Sequence, residues 1–373
     1  MMCDRQKRRN MERTQFSKRS AFTFGITGLF LLIVTLAYAA IIGDPTRGKV
    51  VFQQSCFLCH GVDAKGNGYL AASLPVQPAN LTSCRIVSED PVEMIEGVVR
   101  HGGAWAGLSP AMPAWEGTLT DQQIADVASY VKTLCTDPNW VPGELNLPRA
   151  LITGKAFPEQ EAILGARFGR NSSKVTELFA ELEYRVNGRT GIEVTPRYQW
   201  MTGTGGSESG IGDTSISVRH VVAWDPVQLW LATIGLELSL PTGSKSRGLG
   251  TGEVVWEPFV RGGWDWHQVV LQTSLALVLP TETSNTNAAF AYDIAIGRYF
   301  QPDPRLQITP MVEFSSETGM TGAAKGATLS TVVPEVRVKW LQWSAAVGVE
   351  VPITGLRNFD VRPLFDIVYE YMF

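Results

Sequence analysis

The chain has 373 residues, 18% of them charged and 45% hydrophobic, with a net charge of −4 and a mean hydropathy of +0.02. That length suits two or three domains, and the charge falls below the roughly 25% of soluble globular proteins, so a single small soluble domain is excluded. A polytopic helical membrane protein is excluded by the lack of apolar runs beyond one, and a disordered chain by sixteen Phe, eleven Trp and nine Tyr.

Residues 1–39 open with Arg5, Lys7, Arg8, Arg9, Arg13, Lys18 and Arg19 against Asp4 and Glu12, followed by an apolar run from Ala21 to Ala40. A basic start, an apolar stretch and the small-residue pattern Ala37-Tyr38-Ala39 read as a signal peptide cleaved near Ala39. An uncleaved membrane anchor is the alternative, because the run is long for a signal. Cleavage removes a net five positive charges and takes the chain from −4 to −9, which disfavours nucleic acid as a partner.

Of five cysteines, Cys56 and Cys59 stand in Cys56-Phe57-Leu58-Cys59-His60. Two thiols three positions apart can add to the two vinyl groups of haem, with the adjoining imidazole placed under the iron as proximal ligand. Zinc or a thioredoxin-like redox pair would explain the two cysteines alone, but not His60 and the export signal together. The distal ligand is expected at Met112, in the Pro-bracketed run Ser109-Pro110-Ala111-Met112-Pro113, where extended backbone can aim a thioether at iron. A gap-filling core role is the alternative for Met112. His101 is the rival ligand, although its position at a predicted helix end suits carbonyl capping better. Cys84 and Cys135 can pair as a disulfide in an oxidising compartment or stay as buried thiols.

With these residues on the page, 43–137 resembles a class I c-type cytochrome domain, an all-α fold. The resemblance runs through Gly48, Val51 and Phe52 before the haem motif, through Gly61, Asp63, Gly66 and Gly68 after it, and through the loop from Pro110 to Trp115. The closing helix is expected over Asp121 to Leu134, with Ile124, Val127, Ala128, Val131 and Leu134 on one face and a Thr120–Gln123 capping box at its start. The resemblance implies one covalent haem c with His and Met ligands. It also implies electron transfer and not turnover of a substrate at the iron.

Residues 138–160 are punctuated by Pro138, Pro142, Pro148 and Pro158 and read as a semi-extended linker. From 161 to 373 a period of two takes over. Glu177, Glu181, Glu183 and Arg185 alternate with Leu178, Ala180, Leu182, Tyr184 and Val186; Glu253, Glu257, Arg261 and Asp265 alternate with Val254, Trp256, Val260, Trp264 and Trp266. Asp360, Arg362, Asp366 and Glu370 alternate in the same way with Val361, Phe365, Ile367, Tyr369, Tyr371 and Phe373. Apolar faces ending in aromatics, opposite faces carrying both signs of charge, predict an antiparallel transmembrane β-barrel of about twelve strands.

Short turns are expected at Asn187-Gly188, Asp225-Pro226, His267, Pro302 to Pro304 and Leu341. Long loops are expected at 202–211, 241–251, 281–288 and 317–327. Short periplasmic turns then put the haem domain in the periplasm and the barrel in a bacterial outer membrane. The domain is too wide to thread a twelve-stranded lumen, with a radius of gyration of about 13 Å. The excess of acids facing the lumen either favours passage of cations or is neutralised by pairing that plugs the barrel.

Gly212-Asp213-Thr214, Pro241-Thr242-Gly243 and Gly248 to Gly252 resemble the outer-membrane transporter family of meta-pathway phenol degradation. Tyr371-Met372-Phe373 is similar to the C-terminal aromatic signal read by barrel-insertion machinery. A haem domain ahead of a barrel resembles the cytochrome-porin fusions that oxidise extracellular ferrous iron. The resemblances imply periplasmic electron carriers as partners and an extracellular donor such as ferrous iron. One haem beneath an apolar band about 25 Å tall does not make a complete wire across it.

Overall fold

The computed structural model describes residues 42–371 apart from 90, 170–173, 204–205, 283–286 and 355–358; the signal or anchor expected over 1–39, and the terminal Met372 and Phe373, lie outside the described residues. Among the described residues five α-helices precede the strands: α1 Pro45–Ser55, α2 Phe57–His60, α3 Cys84–Val87, α4 Val92–His101 and α5 Asp121–Lys132. Asp44 caps α1 with its carboxylate, and Pro45 fills the first helical position, where no amide donor is required. Thr120 and Gln123 form the expected capping box on α5.

The first and last helices cross where neither can carry bulk. A Cβ on Gly48 would stand 1.9 Å from the Asp126 carbonyl oxygen, so glycine is what admits the approach. Around the crossing, Val51, Phe52, Val99, Ile124, Val127 and Val131 form the domain's core. Beside it the buried Asp126 carboxylate accepts from Arg47 Nε at 2.7 Å, Arg47 Nη2 at 2.8 Å, the Asp44 amide at 2.7 Å and Gln122 Nε2 at 2.9 Å.

Fifteen strands follow: β1 Glu161–Phe168, β2 Lys174–Arg185, β3 Thr190–Thr195, β4 Arg197–Gly203, β5 Gly206–Ile211, β6 Thr214–Asp225, β7 Trp230–Leu240, β8 Val255–Trp266, β9 Val269–Pro280, β10 Ala289–Arg298, β11 Phe300–Asp303, β12 Leu306–Gly319, β13 Thr328–Trp340, β14 Trp343–Pro352 and β15 Arg362–Glu370. Three pairs are single barrel strands broken once. Pro196 separates β3 from β4, Gly212-Asp213 separates β5 from β6, and Tyr299 separates β10 from β11. Twelve antiparallel strands result, and β1 closes the barrel by pairing with β15 on one side and β2 on the other.

The short turns fall where the sequence placed them. His267 and Gln268 both take positive φ, 54° and 76°, the geometry that a two-residue hairpin turn demands. The expected loop at 202–211 is instead mostly strand, since β4 and β5 run on as a paired hairpin.

The barrel is apolar outside and charged inside. Leu182 and Tyr184 are 56% and 44% exposed, whereas Glu183 and Arg185 are 0% exposed. Trp266, Trp340, Trp343 and Tyr369 ring the end that carries short turns, and Phe168, Trp200, Trp256 and Phe290 ring the other, all exposed. About ten residues separate Trp256 from Trp266, which on tilted strands spans about 25 Å, the apolar height of an outer membrane. Tyr371 departs from the predicted apolar face: its hydroxyl donates to the Glu183 carbonyl and its amide to that of Gln160, drawing it into the mouth.

The segment read as a linker is not a free spacer. Residues 141–160 enter the barrel, with Val141, Leu145, Leu147, Ala150, Ala156 and Phe157 all buried. Their backbone is held by lumen side chains. Glu313, on β12, accepts from the amides of Leu151 at 3.1 Å, Ile152 at 3.0 Å and Thr153 at 2.6 Å. Gln272 donates to the Pro148 carbonyl at 2.8 Å, Arg337 to that of Arg149 at 2.7 Å, and Thr233 to that of Ala156 at 2.7 Å. Prolines deny the segment a helix, so its peptide groups stay available to these partners. Of the two expectations for the lumen charges, pairing describes the periplasmic half: Arg149 meets Glu161, Glu181 and Glu183, and Arg219 meets Glu183 and Glu193.

Two outcomes follow. Hydrogen bonds from Arg47 hold the Asp126 carboxyl down at about 2, so its contribution is complete above the ordinary carboxylate pKa and is lost as pH falls toward 2. Asp126→Ala is expected to cost about 1–3 kcal/mol in denaturant unfolding at neutral pH and much less near pH 2. Glu313→Ala strips the acceptor from the amides of Ile152 and Thr153, at about 1–3 kcal/mol for each group left unpaired, while the Leu151 amide keeps Glu335 at 3.0 Å. In planar bilayers the substitution is expected to convert a silent barrel into a conducting one, whereas a folded variant that stays silent would mean the segment is held without Glu313.

Candidate functional site

The site begins where α1 ends. Cys56 donates its amide to Phe52, and the single turn of α2 then carries Cys59 and His60 on the same side, both amides pointing at the Cys56 carbonyl, at 3.3 and 3.0 Å. Gly61, at φ 81°, ends that turn, a conformation open to glycine. Neither Cys56 nor Cys59 is tied up in a disulfide, and burial pushes the Cys56 thiol up to about 12, with the neighbouring Cys59 adding to it. Burial also lowers the pKa of His60, opposed by the Ala79 carbonyl. His60 Nδ1 lies 3.4 Å from that carbonyl oxygen, so a proton on Nδ1 leaves the Nε2 lone pair free for a metal.

Met112 is brought back by a glycine pair that the sequence reading passed over. Gly102 leaves α4 at φ 83°, and the Gly103 amide donates to the Met112 carbonyl at 3.0 Å. A Cβ on Gly103 would meet the Ser109 carbonyl oxygen at 2.3 Å. The amide of Trp115 returns to Val99 at 3.1 Å, which fixes the far end of the loop to the same helix. Two consecutive glycines right after a helix, nine residues ahead of a Pro-flanked methionine, were the available signal.

Cys56, Cys59, His60 and Met112 thus line one cavity of about 620 Å³, whose inner wall is apolar, with Phe52, Val98 and Val127 among its members. His101 stands outside that lining: its Nδ1 is 3.4 Å from Glu116 and its ring packs at 5.2 Å on Trp105. Two thiols, a neutral imidazole and a thioether around an apolar space of this size fit a covalently bound haem. Cys84 and Cys135, 51 residues apart with Cα atoms 4.7 Å from each other, are joined as a disulfide that ties α3 to the chain leaving α5.

The cavity does not end at the helical domain. Tyr299, Arg305, Gln342 and Tyr371 of the barrel mouth also line it. The domain is docked on that mouth and not merely tethered: Arg85 bonds Gln160 and stacks on Tyr184 at 5.7 Å. Glu89 lies 3.4 Å from Arg185. Arg185 in turn grips the Val141 and Gly188 carbonyls, at 2.9 and 2.8 Å, where the chain enters the barrel.

Comparison with known proteins agrees with both halves. The family described as cytochrome C oxidase, cbb3-type, subunit III matches residues 43–131. Cytochrome c6 of Thermosynechococcus vestitus is 36% identical over 100 residues, which span 27% of this chain and 79% of that protein. The cytochrome c-553-like protein of Synechocystis is 31% identical over 121 residues, 30% of this chain and 98% of that one. Through its first domain the chain belongs to the cytochrome c family. That cytochrome domain carries one covalently attached haem c.

The family described as putative MetA-pathway of phenol degradation matches residues 160–333 of the barrel. Among solved structures, the COG4313 outer membrane channel of Pseudomonas putida F1 is similar at 12% identity and a TM-score of 0.44, covering 60% of this chain and all of that one. The NanC porin follows at 10% identity and a TM-score of 0.40, covering 56% and 100%. The molecule is a cytochrome c domain fused to a closed twelve-stranded antiparallel barrel whose apolar outer face and aromatic rings suit an outer membrane. Because β1 starts at the end with short turns, the cytochrome domain lies on the periplasmic side.

Replacing Cys84 and Cys135 together by Ser opens a loop of about 50 residues and is expected to lower the stability of the cytochrome domain by about 2–4 kcal/mol. Denaturant unfolding followed by haem absorbance checks it.

Proposed function

We propose that this protein is a monohaem electron carrier fixed in the outer membrane, passing electrons between an external or pore-borne redox partner and periplasmic carriers. The observation that carries the reading is the convergence of Cys56, Cys59, His60 and Met112 on one cavity that also opens on the barrel mouth. In this reading Cys56 and Cys59 would anchor the haem through thioethers, and His60 and Met112 would hold its iron. The bound haem supplies a one-electron couple, raised in potential by a thioether ligand and by burial.

The chain's own residues do the rest. Ala79 orients His60, the Gly103 amide sets the Met112 loop, and Phe52, Val98 and Val127 exclude water. With His60 and Met112 both holding the iron, no open position would be left for a substrate, which favours a carrier over an enzyme. The plug supports a periplasmic handover: residues 141–160 fill the lower lumen, so a donor reaching the haem through the barrel has to be small, such as ferrous iron. Barrel insertion in lipid by the outer-membrane machinery is part of the same reading.

A second reading treats the barrel as a transporter with an attached cytochrome, and the description of the family matching 160–333 favours it. Transport would require the plug to leave the lumen. Equal conductance with the haem oxidised and reduced would count against any redox control of such transport.

The deciding experiment is haem absorbance of intact cells after adding a reductant that cannot cross the outer membrane and is too large for a narrow pore. Slow reduction, made fast by permeabilising the outer membrane, is expected for a haem served from the periplasm. Fast reduction in intact cells would mean a continuous path from outside and would overturn the requirement for a small donor.

A further inference from the structure

Arg305 sits in the short turn between β11 and β12, on the barrel, yet its closest stacking partner across the domain boundary belongs to the cytochrome. Its guanidinium carbon lies 4.7 Å above the Trp105 ring and 4.9 Å from the Trp340 ring, between one indole of each domain. Asp303 fixes the head group through Nε at 2.9 Å and Nη2 at 3.1 Å. The Leu341 amide donates to the Arg305 carbonyl at 3.0 Å and ties the turn to its neighbour. An arginine held flat in this way is a rigid clamp and not a wandering surface charge.

Trp105 is the other half of the clamp. It stands in the turn Gly103–Ala106, and its ring occupies the space that a Cβ on Gly97 of α4 would take, at 2.4 Å. Two residues before it, Gly103 donates its amide to the Met112 carbonyl, and after it Leu108 returns its own amide to Gly103 at 2.9 Å. Arg305, Trp105, Gly103 and Met112 therefore form a continuous mechanical series from barrel to haem cavity.

Resting on the haem reading above, we propose that Arg305 is a positioning residue for the Met112 loop, so that the barrel itself holds the sulfur in place and with it the potential of the haem. Loss of the guanidinium frees Trp105 from the barrel and lets the loop open, exposing the iron's distal side to outside ligands. A cytochrome domain of this kind is then tuned by its seat in the membrane protein.

The test uses the full-length protein, haem attached, in detergent. Arg305→Ala is expected to weaken the near-infrared sulfur-to-iron charge-transfer band of the ferric protein, to lower the midpoint potential and to raise the affinity for added imidazole about three- to thirty-fold, the range of one cation–π contact. Arg305→Lys restores most of each signal. Arg85→Ala, which breaks docking contacts away from the Met112 loop, leaves all three unchanged. An unchanged band and imidazole affinity in Arg305→Ala, or an equal loss in Arg85→Ala, would overturn the positioning role while leaving the haem assignment intact. Absence of the sulfur band from the unsubstituted protein would instead remove Met112 as ligand, and with it the reading on which this one rests.

Discussion

Charge that faces inward in a narrow barrel must find a partner, and this constraint organises most of the molecule. Twelve strands leave a lumen in which Glu183, Arg185, Arg219 and Glu313 are all but sealed from solvent. An unpaired ion or carboxylate there costs several kcal/mol. The chain meets the demand with its own backbone. Segment 141–160 presents amides to Glu313 and carbonyls to Arg185, Arg219 and Arg337. Arg149 supplies the cation that Glu161, Glu181 and Glu183 require together. Plug and barrel wall are thus two halves of one electrostatic structure.

The plug also decides where the cytochrome sits. Because the segment following α5 enters the lumen within a few residues, the helical domain is pulled down on the mouth, and the barrel's short turns become a wall of the haem cavity. Arg85, Glu89 and Trp105 find partners in Gln160, Arg185 and Arg305. A domain on a loose tether would present its haem edge in any direction. This one opens its haem cavity onto the barrel mouth.

The haem motif needs no tertiary help to be legible: Cys56, Cys59 and His60 are local, and one helical turn brings them together. Met112 could be read from its prolines, though what presses its loop against α4, Gly102 and Gly103, is a backbone fit that side-chain patterns do not display. The barrel was legible because side chains on a strand alternate faces, so membrane and lumen write a period of two into the sequence. Strand breaks at Pro196 and Tyr299 left that period intact, whereas across Gly212-Asp213 the register shifts by one residue and the outward face passes from Ile211 to Ile216. The loop at 202–211 misled because glycine and serine read as loop, although the hairpin pairs backbone to backbone.

The sequence by itself determined the haem attachment, the helical domain, the number of strands and their membrane face, since each rests on neighbours a few residues apart. Only the tertiary structure decided that the Pro-rich segment is a plug and that Arg305 of the barrel meets Trp105 of the cytochrome. Extended backbone rich in proline looks the same in a linker as in a plug. Its partners, Glu313 and Arg337, lie more than 150 residues away and announce themselves only as lumen charges until the barrel closes around the chain.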